Sequence, residues 1–131
     1  MIKISVPLFI MLPRKTKADR KMYLNLNNYR NWHYIVSNIV KQKFNEGLES
    51  SLKGLKFNKK LDITYILYKG SKRKIDRANV LCIIEKFFCD ALTHYDCIAD
   101  DNDEYLSATH YYGGGVDKEN SRCEIIVEEI Q

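Results

Sequence analysis

Lys72-Arg73-Lys74 runs into Asp76, a helix-patterned segment follows, and Asp100-Asp101-Asn102-Asp103 closes the stretch. Cations followed by spaced carboxylates suit a metal-dependent hydrolase acting on a polyanion. Lys and Arg hold a phosphate backbone. Carboxylates hold Mg²⁺, which activates water and offsets charge developing on the phosphate. Each piece also has a plainer use. Asp76 stands where an N-cap would, with Asn79 in the first turn. Lys86 and Asp90 have the i,i+4 spacing of a surface ion pair. Asp100 to Asp103 alone read as a solvated turn, and no glycine stands where an EF-hand loop needs one. The hydrolase reading rests on the joint pattern.

The charge balance points the same way. Residues 1–86 hold 19 Lys/Arg against 6 Asp/Glu, whereas residues 87–131 hold 2 against 11. A basic surface for a polyanion is expected, with the acidic groups gathered elsewhere. A merely solvated basic face is the alternative.

The chain of 131 residues fits a single domain, residues 1–131, and its 45% apolar content supplies a core. No apolar run reaches the ~18 residues of a membrane span, and Met1-Ile2-Lys3-Ile4 lacks a cleavable leader pattern, so a cytoplasmic protein without a membrane partner is expected. Cys82, Cys89, Cys97 and Cys123 form no Cys-x-x-Cys pair and read as reduced, mostly buried thiols. His94 and His110 read as ordinary polar or capping residues.

The elements that must position the chemistry follow from periodicity. Residues 2–11 read as a strand, with Pro7 marking an edge or a bulge. Residues 13–31 read as a basic loop whose interleaved Tyr23 and Tyr29, with Trp32, either stack on exposed bases or pin the loop to the core. Trp32, Ile35, Val36, Ile39, Val40 and Phe44 recur at steps of three and four, which predicts a helix over 29–45. β-branched and aromatic residues predict a strand over 61–68. Val80, Leu81, Ile84, Phe87, Phe88, Ala91 and Leu92 predict a second helix over 77–95. Strands follow at 104–112 and 122–130. Gly113-Gly114-Gly115 between them is too short for a crossover helix, so an antiparallel pair is expected. The order β-α-β-α-β-β implies an α+β domain with a mixed or mostly antiparallel sheet packed with two helices.

Asp76-Arg77-Ala78-Asn79, Lys86, Asp90-Ala91-Leu92-Thr93 and Asp100-Asp101 together resemble the RusA family of Holliday junction resolvases. That family's pattern is a basic run into Asp-x-Asp-Asn, a helix carrying Lys and Asp-Ala-Leu, then an Asp-Asp pair about ten residues on, as from Asp90 to Asp100 here. The resemblance covers residues 61–112 well and the rest by element order. It implies a small homodimer, usually phage- or prophage-borne and so working in the bacterial host cytoplasm. It also implies Mg²⁺-dependent paired nicking of four-way DNA junctions, with Mn²⁺ as a substitute ion. Asp76 and Asp101 would be the metal-binding catalytic aspartates, with Asp100 beside them. Lys86 would stabilise phosphate charge or orient the nucleophile, and Lys72, Arg73, Lys74 and Arg77 would hold the DNA backbone. The second family aspartate is replaced by Ala78. Asn79 offers an amide oxygen in its place, and Glu85 or Asp90 offers a carboxylate; the alternative is a catalytically weakened junction-binding protein. The segment from Asn79 to Asp90 is about one helical turn longer than in the best-known members, ~6 Å of axis. If 76–90 were one unbroken helix, Asp76 and Asp90 would lie ~21 Å apart, and Lys86 ~15 Å from Asp76. So either the helix starts well after Asp76, or Lys86 and Asp90 do not belong to its site.

Overall fold

Lys60–Lys69 alternates strictly. Leu61, Ile63, Tyr65 and Leu67 are buried, while Asp62, Thr64, Ile66 and Tyr68 are half-buried. Period-two alternation marks a strand with one face on a core and the other more open. In the computed structural model, which describes residues 1–130, this strand is central. The elements are β1 (Ile2–Val6), β2 (Phe9–Leu12), β3 (Arg20–Tyr23), α1 (Leu26–Asn31), α2 (Tyr34–Glu46), α3 (Glu49–Leu52), β4 (Lys60–Lys69), α4 (Arg77–His94), β5 (Leu106–Val116) and β6 (Arg122–Ile130). The fold is α+β, with a mixed four-stranded sheet ordered β1-β6-β4-β5. β6 pairs antiparallel with both β1 and β4, and β5 pairs parallel with β4.

The expected β5–β6 pair does not form. The two strands run in opposite directions, but β4 lies between them. The three glycines belong to β5 itself. Residues 117–121 carry the chain across the end of β4, where the Asp117 N–H donates to the Lys69 carbonyl at 2.7 Å. Gly114 sits at a register shift opposite Leu67/Tyr68. A Cβ there would lie 2.6 Å from the Tyr68 ring, so glycine lets the ring lie across the strand. Gly115 has φ +110°, open to glycine and strained for other residues.

The amino-terminal half departs further from expectation. The strand expected over 2–11 breaks at Pro7, and its halves join different sheets: β1 is an edge of the main sheet, and β2 pairs with β3. The stretch expected as a loop over 13–31 holds β3 and α1. The helix expected over 29–45 is two helices. Asn25 caps α1 by accepting the Asn28 N–H at 2.8 Å, Trp32 is extended, and His33 recaps α2 by accepting the Ile35 N–H at 3.2 Å. The extended Trp32 ends α1 and the His33 cap starts α2 at once, so the chain restarts its helix without disturbing the apolar period. Tyr29 and Trp32 pack edge-on to each other and Tyr29 against Phe87, which ties this segment to the core.

α4 packs on β4 and β5 by the apolar face expected of it, with Leu81, Ile84, Phe88 and Leu92 fully buried and Phe88 edge-on to Tyr65. The four cysteines form no disulfide. Burial pushes the Cys89 and Cys123 thiols up to about 12, so neither is a thiolate nucleophile at neutral pH.

Glu124 is a buried carboxylate on β6, held by Lys3 at 2.9 Å and by Nε and Nη2 of Arg122, whose Nη1 donates to Asp117. The Lys3 ammonium, joined by Arg122, holds the Glu124 carboxyl below its ordinary value against the opposing effect of burial. A depressed carboxylate stabilises above its unfolded pKa, and that stability is lost as pH falls through the folded value. Glu124→Ala is therefore expected to destabilise the fold by ~2 kcal/mol at pH 7 and by much less at pH 3, read from urea midpoints at the two pH values.

Candidate active site

Asp76 is the N-cap of α4. Its Oδ1 accepts the Ala78 N–H at 3.1 Å, its carbonyl accepts the Asn79 N–H at 3.1 Å, and the residue is exposed. The capping role is therefore real. It uses one carboxylate oxygen and leaves the group at the surface, at a helix end where the backbone dipole favours negative charge. Ala78, in place of the family aspartate, is also exposed.

The basic loop stands directly before it. Lys72, Arg73 and Lys74 are exposed on a bend fixed by Arg73 N–H donating to Ser71 Oγ at 3.3 Å and Lys69 Nζ donating to the Arg73 carbonyl at 3.1 Å. Arg77 reaches across to Gly113 on β5. Among the described residues, none of Lys72, Arg73, Lys74, Arg77 or Lys86 is in an ion pair. Four cations and the Asp76 carboxylate thus share the finishing end of β4 and β5.

Asp100 and Asp101 are at the other end. β4 and β5 are parallel, so α4 must run back along the sheet between them. Its 18 residues span ~27 Å. The chain then turns, with Cys97 N–H on the Leu92 carbonyl at 2.8 Å, and enters β5 through Tyr105, whose carbonyl accepts the Leu61 N–H at 2.9 Å. The acidic turn therefore lies beside the first residues of β4 and β5. Asp100 is occupied in shaping it: Oδ1 accepts the Asp101 N–H at 2.8 Å and Oδ2 accepts the Asn102 amide at 3.2 Å. Asp101 is exposed.

So the expected metal set of Asp76, Asn79, Asp100 and Asp101 is not gathered in one chain. Among the described residues no three His, Cys, Asp or Glu side chains stand close enough to hold an ion. The helix begins at Arg77, directly after Asp76, which puts Lys86 and Asp90 outside the Asp76 site of the same chain. Asp90 binds Lys41 of α2 at 2.8 Å rather than Lys86, so the expected i,i+4 pair is absent and Lys86 is exposed without that partner. His110 stands 2.9 Å from Asp62, an ordinary polar contact between neighbouring strands.

Sequence reasoning missed one polar contact at the middle of α4. The Tyr111 hydroxyl of β5 donates to Glu85 Oε1. Burial and the Glu85 carboxylate together push the Tyr111 phenol well above its ordinary value, so it stays protonated and donates. Behind it, the Tyr65 hydroxyl and Cys89 thiol are in contact at 3.7 Å. The visible signal was Glu85 itself, a carboxylate between Ile84 and the Phe87–Phe88 pair of an otherwise apolar face. No protein-family model matches this chain, and no curated protein matches it.

Proposed function

We propose that this protein is a metal-dependent, structure-selective DNA endonuclease of the resolvase type, cutting four-way junctions by paired phosphodiester hydrolysis as a homodimer. The observation that carries the reading is the continuous exposed run of Lys72, Arg73, Lys74, Asp76 and Arg77 at one end of the sheet. Phosphate-holding charge stands there beside a surface carboxylate, in the order in which the resemblance to resolvases requires them. The cations act on backbone phosphates rather than bases, so shape and phosphate positions decide the substrate.

One chain does not fit the ion. The proposed donors are Asp76 and Asn79 of one protomer with Asp100 and Asp101 of the partner subunit. Mg²⁺, or Mn²⁺ in its place, is the ion proposed, and the chemistry it supplies is Lewis acidity and an activated water. The chain's own part is to hold phosphates with unpaired Lys and Arg, and to present exposed carboxylates that need not be stripped from internal salt bridges. The two-fold axis of a homodimer supplies two equivalent sites for two symmetric cuts.

Ala78 favours a second reading, a junction-binding protein without cleavage. The separating experiment incubates the wild type with a labelled four-way junction and a linear duplex, in Mg²⁺ and in EDTA. Paired nicks on the junction alone, absent in EDTA, are the expected result. Tight, salt-sensitive binding with no product at any Mg²⁺ or Mn²⁺ concentration would replace the nuclease with the binding protein.

A further inference from the structure

β2 and β3 pair antiparallel as a two-stranded ribbon separate from the main sheet. Its two faces differ. Ile10 and Met22 oppose each other and are buried in the core. Side chains alternate along a strand, so Phe9, Met11, Lys21 and Tyr23 share the other face. There Tyr23 is 49% exposed and Met11 40%, although the Tyr23 and Phe9 rings meet at 5.6 Å between centroids. The connecting turn and β3 carry Arg14, Lys15, Lys17, Arg20 and Lys21, against Asp19 alone. All five cations are exposed, and among the described residues none is in an ion pair. Lys21 Nζ lies 4.8 Å over the Phe9 ring. Core packing does not explain a tyrosine left at the surface among cations that pair with nothing.

A cleft of about 180 Å³ opens beside this ribbon, lined by Arg20, Lys21, Tyr23, Asn28, Asn31 and Trp32. Trp32 is half-buried and packed edge-on to Tyr29, so one side of the cleft is anchored to the core. Asn28 Nδ2 donates to the Tyr23 carbonyl at 3.1 Å, and Asn31 Nδ2 donates to the Asn27 carbonyl at 2.9 Å. Those bonds fix both amides and leave their oxygens to accept. Two aromatic rings, two cations and two amides together match a ligand that has both a flat polar base and a phosphate.

We propose that the β2–β3 ribbon and its cleft bind an unpaired nucleic-acid strand. The Tyr23 ring stacks on a base, the Asn28 and Asn31 oxygens accept from the base edge, and Lys15, Lys17, Arg20 and Lys21 hold the phosphates. This contact is distinct from the run at Lys72–Arg77 and does not rest on the nuclease reading. Bases inside a duplex are stacked on one another and closed to a side-chain ring, so Tyr23 discriminates in favour of single strand. The two basic segments leave the same end of the main sheet. Val6 of β1 pairs with Cys123 of β6, which pairs with Leu67 of β4, so β1 delivers the ribbon where β4 delivers Lys72, Arg73 and Lys74. A branched DNA with an unpaired segment offers something to each. An acidic peptide would answer the charge as well, but it has no use for an exposed ring beside two fixed amide acceptors.

Trp32 is the only tryptophan in the chain, so its emission reports on the cleft. Titration with a short oligothymidylate, a duplex of equal length and oligoglutamate tests the proposal without reference to cleavage. Oligothymidylate is expected to quench Trp32 and oligoglutamate to leave it unchanged. Tyr23→Ala should weaken oligothymidylate binding by about tenfold and leave duplex binding as it was, and Tyr23→Phe should restore the affinity. Lys15→Ser with Lys17→Ser, two changes in an exposed turn, should lower the slope of log affinity against log salt by about 0.7 for each phosphate released. This pair keeps the test in force should Tyr23→Ala unfold. Unquenched emission with oligothymidylate, wild-type affinity in a folded Tyr23→Ala, an unchanged salt slope in the double variant, or oligoglutamate bound as tightly as the oligonucleotide would overturn the proposal. Single-strand binding by a protein that never cuts a junction would sink the nuclease reading and leave this site standing. Junction cleavage by a protein that ignores oligothymidylate would do the reverse.

Discussion

Asp101→Asn is expected to bind a four-way junction as tightly as the wild type and to cut it at least on the order of 10²- to 10³-fold more slowly. The side chain is exposed in a turn built by its neighbours, chiefly the two Asp100 contacts and the Asn102 side chain, which accepts the Glu104 N–H at 2.9 Å. Replacing one carboxylate oxygen by an amide leaves that frame intact, so a thermal melt should not move. What changes is the charge offered to a divalent ion. Single-turnover cleavage beside a binding titration separates the two effects, and wild-type cleavage by this variant would remove Asp101 from the mechanism.

Asp76→Asn should show an equal loss for a separable reason. Asn caps helices about as well as Asp, so the Ala78 N–H keeps its acceptor and stability should stay within ~0.5 kcal/mol. Asp76→Ala removes both roles and should lose ~1 kcal/mol besides. If capping were the whole function of Asp76, the Asn variant would cut normally and the Ala variant would merely melt earlier. Cleavage rates and urea midpoints of the pair decide between those outcomes.

The strands and helices nearest the site were the most legible part of the chain. β4, α4 and β6 follow from alternation, helical period and β-branched content, and their observed limits differ from the expected ones by at most one residue. The amino-terminal half was harder to read because its signals are local and compete. Pro7 reads as an edge or a bulge within one strand rather than as a break between two, and the His33 cap lies inside one continuous apolar period. The glycines of β5 looked like a loop because composition does not reveal that Tyr68 needs the space over Gly114. For the site, residue types and order were legible and distance was not. Asp76 and Asp101 flank one helix in sequence, but the parallel pairing of β4 with β5 sends them to opposite ends of the sheet. That pairing is a long-range choice no local pattern announces. The Tyr111–Glu85 bond stayed hidden for the same reason, since it joins two elements whose adjacency depends on the crossover.

A mixture of the two inactive variants distinguishes a site shared between two copies from one held within a single chain. In a heterodimer of Asp76→Asn with Asp101→Asn, one composite site carries both substitutions and the other carries neither. Each variant alone should leave a four-way junction uncut in Mg²⁺, and the mixture, after subunit exchange, should regain nicking at one site per dimer. A mixture that forms heterodimers yet stays as inactive as its components would contradict a site shared between two copies.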